Sequence, residues 1–504
     1  MAPPPKDKAD VLIVGAGPSG LMAAVCLQRL GVNVIVVDGK SGPTRESRAL
    51  ALQARSMEIY DQLGLADRVL SECNRAPQIV PGYRTRTFRP VSFAEFGSHL
   101  TPFPGIYILE QSRNEVLLRD ALLELGGDVR WRHDLQDLHV DEDAEPPVSA
   151  TLKSPAGTTL VRADWCIGAD GASSRVRDLL GIAFEGRTNP LRFYVADALG
   201  AEGLVDDSMN MRVSRDDFVL SFPMGAKGHH RILGIAQEVP GTQLEEVVRH
   251  NLMTEFGVRY LEATWFSSYQ VHHRLAASFR RGPAFLIGDA AHVHSPVGAQ
   301  GMNTGLQDAH NLACKLADVV HGRADPPSLD QYERERRPVA ARLVRTTDAA
   351  FARITSSSRT ARFIRSRIVP LIAPLAVRIV PRLIGTDRLF GYLAQLRIRY
   401  SSISPQTMGR QLRGVVGRRL PWTGRNFLPL RNFTWQVHGY GADPDDVEAA
   451  ARALGVEAHA LEHVPRRSLE PSRLYLIRPD AFVVAAADIG DNAVSHMRGL
   501  VPSR

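Results

Sequence analysis

The residues best suited to chemistry lie between Phe285 and Gly305, a segment with four glycines, two histidines and one aspartate. Phe285 to Ile287 predicts a short buried strand, and Gly288 with Asp289 predicts the turn after it. Gly298 to Met302 predicts a loop whose backbone N–H groups open a helix, an arrangement that binds anionic groups. The candidate binding residues in this half-site are Gly288, Asp289, Pro296, Gly298, Gly301, Met302 and Asn303.

We interpret the residues on either side of this loop as structural and not catalytic. From Leu306 onward, small or apolar residues recur at three- and four-residue steps as far as Val320, which predicts an amphipathic helix. His292 and His294 follow the turn, and we interpret them as structural because histidines beside a turn more often have that role. No catalytic residue is assigned.

A second half-site opens the chain. Val11 to Val14 predicts a strand, Leu21 to Leu30 a helix, and Val32 to Val37 a second strand that ends at Asp38. The glycines between the first strand and the helix would allow a tight turn, close approach to a pyrophosphate and close packing of helix on strand, while Asp38 would accept a ribose hydroxyl. The candidate residues are Gly15, Ala16, Gly17, Pro18, Ser19, Gly20 and Asp38. Two widely separated half-sites indicate noncovalently bound FAD.

A third segment, from Trp165 to Arg177, contains a strand, an Asp170-Gly171 turn and a helix start. Alone it predicts an ordinary turn with a solvated pair, Arg175 and Arg177. The three segments occur in the order found in class A FAD-dependent aromatic hydroxylases, and residues 9 to 350 resemble the phenol and polyketide hydroxylase branch of that family. Two further segments add to the resemblance, one containing Arg48 and the other beginning at Gln111.

The resemblance implies specific roles. Arg48 and Gln111 would touch the flavin, although a surface arginine and a helix-capping glutamine remain open alternatives. Asp170 would belong to the cofactor site, beside a groove used by NADPH or NADH. The implied reaction inserts one oxygen atom from O2 into a phenolic or polyketide-type aromatic substrate through a flavin C4a-hydroperoxide.

Three other functions were weighed. A flavin halogenase is disfavoured because its Trp-x-Trp-x-Ile-Pro segment does not occur in the sequence. A Baeyer–Villiger or antibiotic-inactivating oxygenase on the same scaffold stays open, since the same oxidant can attack a ketone. A non-enzymatic flavin-binding interaction protein is the alternative from a different class.

Composition favours a cytoplasmic enzyme. The 504 residues are 44% apolar and 23% charged, enough for a large core and about three domains. We found neither an uninterrupted apolar run of membrane-spanning length nor a signal-peptide core, so stable membrane insertion is not expected. Four isolated cysteines indicate no metal site, and the net charge of +7 suits dinucleotides better than nucleic acid. The expected partners are a small aromatic substrate and O2, with a homodimer left open.

The predicted fold class is α/β, with a Rossmann-like FAD-binding domain, an inserted antiparallel-sheet substrate domain and a degenerate thioredoxin-like domain at the end. The FAD-binding domain would comprise 1–184 and 281–354, with 80–104 crossing to the substrate domain at 185–280. A helical connector would occupy 355–409, and the thioredoxin-like domain, which has no cysteine, 410–504. The connector is basic and amphipathic; we expect its helices to be shortened by proline and packed against the body of the protein, although such stretches can bind membranes.

Overall fold

Strands in four sheets and a set of mostly buried helices form the computed structural model, which describes residues 7–45, 49–92, 97–237, 239–295, 300–356, 358–384, 386–403, 414–463 and 469–502. The described strands are β1 (Lys8–Val14), β2 (Val34–Asp38), β3 (Ala51–Leu52), β4 (Asn74–Ala76), β5 (Gln78–Tyr83), β6 (Arg86–Thr87), β7 (Val91–Ser92), β8 (Ile106–Ile108), β9 (Val129–Trp131), β10 (Asp134–Val140), β11 (Val148–Ser154), β12 (Gly157–Gly168), β13 (Phe184–Leu199), β14 (Met209–Val213), β15 (Phe218–Pro223), β16 (His230–Ala236), β17 (Glu262–Ala276), β18 (Arg280–Arg281), β19 (Ala284–Leu286), β20 (His292–Val293), β21 (Gln436–Tyr440), β22 (Glu457–Leu461), β23 (Arg473–Ile477) and β24 (Val483–Asp488).

The described α-helices are α1 (Pro18–Arg29), α2 (Ala54–Gln62), α3 (Ala66–Glu72), α4 (Gln111–Glu124), α5 (Arg175–Leu179), α6 (Leu244–Asn251), α7 (Gly301–Val320), α8 (Asp330–Thr355), α9 (Arg359–Phe363), α10 (Val369–Ile384), α11 (Thr386–Leu393), α12 (Pro444–Leu454) and α13 (Asp491–Arg498). Single π-helical turns occur at Leu252–Phe256 and Ile364–Ile368. No helix in the described part of the chain is long and apolar enough to cross a membrane.

A mixed sheet brings the sequence segments of interest to one edge. β1 pairs in parallel with β2 and β12, and β12 pairs in parallel with β19. The last four residues of β1, from Val11 to Val14, and all of β19 are buried and apolar, as expected for strands covered on both faces. The carboxyl ends of β1, β12 and β19 therefore lie side by side, at the edge where open α/β sheets bind ligands.

A second sheet, mostly antiparallel, lies beyond this edge. Its strands run in the order β20-β17-β13-β16-β15-β14-β5-β6, with β7 beside β5. Strands β13 and β17 pair along nearly their whole lengths. The segment 78–92 joins the same sheet through the parallel pairing of β5 with β14. The predicted mixture of parallel and antiparallel sheets is thus confirmed.

The long helix α7 differs from its predicted amphipathic character. Every residue from Asn303 to Asp318 is buried, including charged Lys315 and Asp318. Its polar side chains are covered by α8 and by the C-terminal part of the chain, which supply carboxylate and amide partners. A helix buried all round cannot be recognised from periodicity alone, because its polar residues look solvent-facing.

The C-terminal part forms a separate sheet in the order β22-β21-β23-β24. β21 is parallel to β22 and antiparallel to β23, and β24 is antiparallel to β23. Helix α12 connects the two parallel strands, and α13 follows the last strand. The sheet has its own apolar core, centred on Val437, Tyr475 and Leu476.

Candidate active site

The two predicted half-sites contact each other directly. A Cβ atom built on Gly288 would lie 2.5 Å from Ser19 Oγ, and a Cβ on Gly305 would overlap the same oxygen. Gly288 also has a φ of +58°, a conformation that favours glycine. The turn after β19 therefore fits between the first turns of α1 and α7 only because glycine stands at both positions.

A cavity of about 610 Å³ opens where these elements meet. Seven of the predicted binding residues line it: Gly17, Pro18, Ser19, Gln111, Asp289, Gly301 and Met302. Seven others do not line it: Gly15, Ala16, Gly20, Asp38, Asp170, Gly288 and Asn303. Arg48, Pro296 and Gly298 lie outside the described residues.

Several of the predicted residues that do not line the cavity fix the backbone turns that do. A Cβ on Gly15 would lie 2.5 Å from the carbonyl carbon of Ala169, and a Cβ on Gly20 would overlap the carbonyl of Gly15. Asp38 accepts hydrogen bonds from the backbone N–H groups of Ala16, at 2.7 Å, and Lys40, at 2.8 Å. These contacts hold the first turn tightly against the end of β12.

Asn303 and Asp170 bind protein groups instead of facing the cavity. The Asn303 amide oxygen accepts hydrogen bonds from Gln53 N and Ser56 Oγ, and its nitrogen donates to the Ala51 carbonyl. Asp170 accepts hydrogen bonds from Ser174 Oγ and Val176 N at the start of α5. Burial raises the pKa of Asp170, partly offset by these hydrogen bonds. The side chains of Asn303 and Asp170 therefore fix loops next to the cavity.

Gln111 is held in position by a buried carboxylate that the sequence analysis missed. Glu115 accepts a hydrogen bond from Gln111 Nε2 at 2.8 Å and another from Thr44 N at 2.7 Å. Glu115 is fully buried, whereas Gln111 and Thr44 line the cavity. The four-residue spacing on α4 was the available signal, since residues at that spacing share a helix face.

Both helices that begin at the cavity have uncapped first turns. Gly17 at the start of α1 has no side chain to cap it, and Gln300 before α7 makes no side-chain capping hydrogen bond. A Cβ on Gly17 would meet no atom within 4 Å, so a ligand can approach its backbone closely. Unsatisfied N–H groups at a helix start are suited to anionic groups. These features fit the two ends of FAD.

His292 and His294 have different surroundings. His292 is buried and its Nε2 lies 2.7 Å from Asp308 Oδ2, so its predicted structural role agrees with its contacts. Asp308 also accepts hydrogen bonds from Gly288 N and Arg336 Nε, at 3.2 and 2.7 Å. Burial opposes ionisation of Asp308, but the charges of Arg336 and His292 outweigh it and keep its pKa below the ordinary value.

His294 lines the cavity. Its Nδ1 lies 2.8 Å from the Ser295 carbonyl, and its Nε2 has no hydrogen-bond partner among the described residues. Burial and the neighbouring His292 lower the pKa of His294 to about 4, so its ring is neutral near pH 7. Because a carbonyl oxygen only accepts, Nδ1 carries the single proton of the neutral ring, and Nε2 can accept one hydrogen bond from a ligand in the cavity.

The wall opposite the glycine turns comes from the antiparallel sheet and is largely apolar. Leu220, Phe222, Leu233, Trp265 and Tyr269 line it, and Phe193 is buried behind them. Among the residues discussed from the sequence, Leu220 and Phe222 therefore reach the cavity, whereas Phe193 is core and Met211 is exposed. Trp265 and Tyr269 were missed, because alternating strand residues do not reveal which face meets a ligand.

A buried arginine connects this wall to the cofactor side. Arg231 makes two hydrogen bonds to Asp197, at 2.5 and 2.6 Å, and one to Glu110 at 3.0 Å. Its guanidinium lies 5.3 Å from the centre of the Trp265 ring. Glu110 directly precedes Gln111 at the start of α4. This ion-pair group sets the position of the apolar wall relative to the start of α4.

Arg177 departs from its predicted solvated position. It is buried, donates hydrogen bonds to the carbonyls of Ala290 and Ala172, and stacks 3.9 Å from the Phe184 ring centre. It thereby ties the third sequence segment to the turn after β19. Arg175 remains at the surface, as predicted.

Comparisons with known proteins agree with this geometry. The family model for the FAD binding domain matches residues 8–347. The 6-methylpretetramide 4-monooxygenase of Streptomyces rimosus is 35% identical, over 81% of this chain and 72% of that protein. The rifampicin monooxygenase of Rhodococcus hoagii is 31% identical, over 96% and 95% of the two chains. The solved structure of OxyS anhydrotetracycline hydroxylase from Streptomyces rimosus superposes with a TM-score of 0.77, at 29% identity and over 97% and 98% of the two chains.

The chain therefore belongs to the FAD-binding-domain family of class A flavoprotein aromatic hydroxylases, and it is an FAD- and NAD(P)H-dependent monooxygenase.

Proposed function

We propose that this enzyme hydroxylates an electron-rich, multi-ring phenolic compound of polyketide type. The observation that carries the proposal is a single cavity with two unlike walls. Glycine turns and open helix starts form one wall, and Leu220, Phe222 and Trp265 form the other. A flat aromatic substrate fits an apolar wall of this kind, because most of its binding energy comes from burying ring surface.

On this proposal, both half-sites hold noncovalent FAD. The first turn of α1, which starts at Gly17, would bind the pyrophosphate, and Asp38 would position the loop facing the ribose. Asp289 would hydrogen-bond the ribityl or pyrophosphate region of FAD, and Gln111 would contact the flavin. The backbone of Gly301, Met302 and Asn303 would face the flavin ring edge that becomes negatively charged on reduction. Bound FAD would supply the redox chemistry, which is the acceptance of electrons from NAD(P)H and the activation of O2.

His294 and the apolar wall would act on the substrate side. The neutral His294 ring, with its unpartnered Nε2, would hydrogen-bond a phenolic hydroxyl. The apolar residues would exclude water from the reacting ring, which protects the activated oxygen from wasteful decay. We propose no proton transfer by His294, because its low pKa makes it a weak base at neutral pH.

We also propose the domain division expected from the sequence: FAD binding by 1–184 and 281–354, substrate binding by 185–280 with 80–104 crossing between them, a connector at 355–409 and a thioredoxin-like domain at 410–504. The strand order of the last sheet, with α12 joining the parallel pair, supports the thioredoxin-like assignment. It has no cysteine, which excludes dithiol chemistry and leaves it a structural or oligomeric role.

A substrate screen tests the proposed reaction. Phenols and polycyclic polyketides would be added to the purified yellow protein, and NADPH oxidation and product mass would be followed. A mass gain of one oxygen with the ring connectivity retained indicates hydroxylation, whereas an oxygen inserted into the carbon skeleton indicates the Baeyer–Villiger alternative. The relationship to rifampicin monooxygenase makes antibiotics a second set of compounds for this screen. Protein that takes up no FAD would contradict the cofactor assignment.

Arg48 is proposed to handle the reductant more than to bind FAD. We expect stopped-flow bleaching of the flavin by NADPH to accelerate several-fold with a true substrate, because a gated reduction limits wasted oxidant. Arg48→Ala should slow bleaching while the protein stays yellow. Equal bleaching with and without a confirmed substrate would refute gating, and loss of FAD from the variant would reassign Arg48 to cofactor binding.

A further inference from the structure

One helical rod is apolar on the side that faces solvent. It consists of α9, the π-helical turn at Ile364–Ile368 and α10, which continue one into the next. Six apolar residues, which we call the outward stripe, point away from the protein: Ile364, Ile368, Leu371, Ile372, Leu375 and Ile379. Leu371 is 80% exposed and Leu375 is 57% exposed. Soluble proteins rarely expose a contiguous apolar surface of this kind unless something binds there.

The polar residues of the same rod hold it to the protein. Arg365 is buried and donates hydrogen bonds to the backbone carbonyls of Arg215, Arg353 and Ser356, at 2.8, 3.3 and 2.5 Å. Arg362 is paired with Asp216 at 2.6 Å. Apolar residues of the rod therefore face solvent while one of its arginines, Arg365, is buried, the opposite of the usual arrangement at these positions. These anchors fix which face is outward.

This segment packs against the body through one face, as expected, but its other face is exposed. The expectation that proline shortens its helices is wrong for α10. This helix continues through Pro374 and Pro381 without interruption. Exposed backbone on a surface helix can tolerate the lost N–H donor because water satisfies the freed carbonyl. The result is a rod long enough to present the whole stripe.

The stretch of sequence that contains the stripe is strongly cationic, although Arg362, Arg419 and Arg431 are paired with carboxylates. Between residues 349 and 442 the sequence has sixteen arginines, no lysine and one acidic residue, Asp387, so the rest of the chain carries more acidic than basic residues. Asp387 is paired with His99 at 2.6 Å. Arg359 and Arg367, on the rod itself, are exposed. Two copies of the rod placed face to face would bring arginines together without carboxylates from the rod to offset them, which disfavours self-association.

We propose that the outward stripe docks on an anionic lipid surface, with the rod lying in the plane of the interface. Apolar side chains would enter the boundary between headgroups and acyl chains, and the flanking arginines would lie against the phosphate and carboxylate groups of the lipids. The proposal concerns surface binding by one helical rod. It is independent of the proposed substrate, since it depends on the outward stripe and the charge of this segment alone.

Vesicle sedimentation of the full FAD-loaded protein tests this proposal. Sucrose-loaded vesicles of phosphatidylcholine alone would be compared with vesicles that also contain about 30 mol% phosphatidylserine. We expect binding only to the anionic vesicles, and weaker binding at about 0.5 M than at about 0.1 M salt. Leu371→Gln/Leu375→Gln should lower the bound fraction about fivefold or more, because it removes apolar contact while leaving every charge in place.

Leu261→Gln is the matched control. Leu261 is 81% exposed, almost the same as Leu371, but it lies between Tyr260 and the start of β17, outside the rod. It should leave vesicle binding unchanged, and all variants should keep their FAD and thermal midpoint because the substituted residues are exposed. No binding of the unaltered protein to anionic vesicles would overturn the proposal, as would equal losses in both variants. A dimer that Leu371→Gln/Leu375→Gln dissociates, without vesicle binding, would instead assign the stripe to a second copy of this chain.

Discussion

Ser19 and Gly305 are in such close contact that no side chain can be added at residue 305 without displacing the serine hydroxyl. Ser19 belongs to the first half-site and Gly305 to the helix of the second. Their contact also encloses Gly288, whose Cα would lie 3.1 Å from a Cβ on Gly305. The geometry of the proposed cofactor site therefore depends on this point of contact between segments almost three hundred residues apart.

Gly305→Ala should weaken FAD binding about tenfold or more and destabilise the protein by about 1–3 kcal/mol, through overpacking. Alanine otherwise favours a helix, so a loss would come from the contact with Ser19 and not from helix propensity. FAD titration by fluorescence and urea unfolding measure the two effects. Ser19→Ala/Gly305→Ala should recover part of the loss, and Gly499→Ala, which meets no atom within 4 Å, should have no effect. Unchanged FAD affinity in Gly305→Ala would show that the Ser19 side chain can move aside without altering the FAD site.

Asp289→Ala should lose about 1.5–3 kcal/mol of FAD affinity, on the order of tenfold or more, because it removes a charged hydrogen-bond acceptor from the cavity. Asp289→Asn keeps the shape and should lose less. The measurement is the dissociation constant of FAD from apoprotein, with Glu448→Ala on α12 as a control carboxylate whose side chain is 63% exposed. A normal fold with unchanged affinity in Asp289→Ala would remove Asp289 from the site.

Arg478→Gln should destabilise the protein by about 3–5 kcal/mol, because it removes the guanidinium that two buried carboxylates share. Among the described residues, Glu335 would keep only Lys315, at 2.8 Å, as a charge partner. Arg478 makes hydrogen bonds of 2.7 and 2.9 Å to Glu335 on α8 and of 2.8 and 2.7 Å to Asp480. Arg473→Gln is the control: its partner Asp488 is 72% exposed, so its loss should cost less than about 1 kcal/mol. Urea unfolding compares them, and similar stabilities of the two variants would contradict a stabilising role for the buried pair.

The free energy of unfolding should fall as the pH drops from about 6.5 towards 4. Burial lowers the pKa of His310 and of His438 to about 3, with smaller contributions from the charges of Arg55 and His459 respectively. In this window the unfolded chain, with ordinary histidine pKa values of about 6.5, binds protons that the folded protein does not, so acid favours unfolding by about 1.4 kcal/mol per pH unit for each histidine. Burial raises the pKa of Asp217 to about 7, which opposes this effect by one proton, but the lowered pKa values of His294, His310 and His438 together outweigh it. At lower pH, the lowered pKa values of Glu335 and Asp480 add to the loss in the same direction.

Urea unfolding at several pH values measures this slope. His438→Asn should reduce the slope of the unfolding free energy against pH by about 1.4 kcal/mol per pH unit, the contribution of one proton, because asparagine does not titrate. His496→Asn, a change near the end of α13, is the control for a histidine with a surface position and should leave the slope as it is. An identical slope in the protein and in His438→Asn would show that His438 is not excluded from protonation in the folded state.

The sequence by itself determined the two glycine-rich turns proposed to bind the cofactor. Glycine at positions 15, 17 and 20, between an apolar strand and a helix, predicts a turn of one kind because local backbone geometry depends mainly on the residues within it. Gly288 and Asp289 after a buried strand are specified in the same way. These local signals predicted the parallel strands and the helices α1 and α7, although the observed ends of these elements differ from the predicted ones by a few residues. The order of the segments along the chain indicated the family.

Only the tertiary structure decided which faces of these elements meet. His292 and His294 are two residues apart, yet one is buried against Asp308 and the other faces the cavity. The polar residues of α7 are buried because Glu335 and Asp480, which come later in the chain, supply their partners. The rod exposes apolar residues from Ile364 to Ile379, whereas Arg365 is buried and donates hydrogen bonds to backbone carbonyls. A pattern of residue types reports the period of an element, but its environment is set by partners distant in sequence, and their identity is a property of the folded chain.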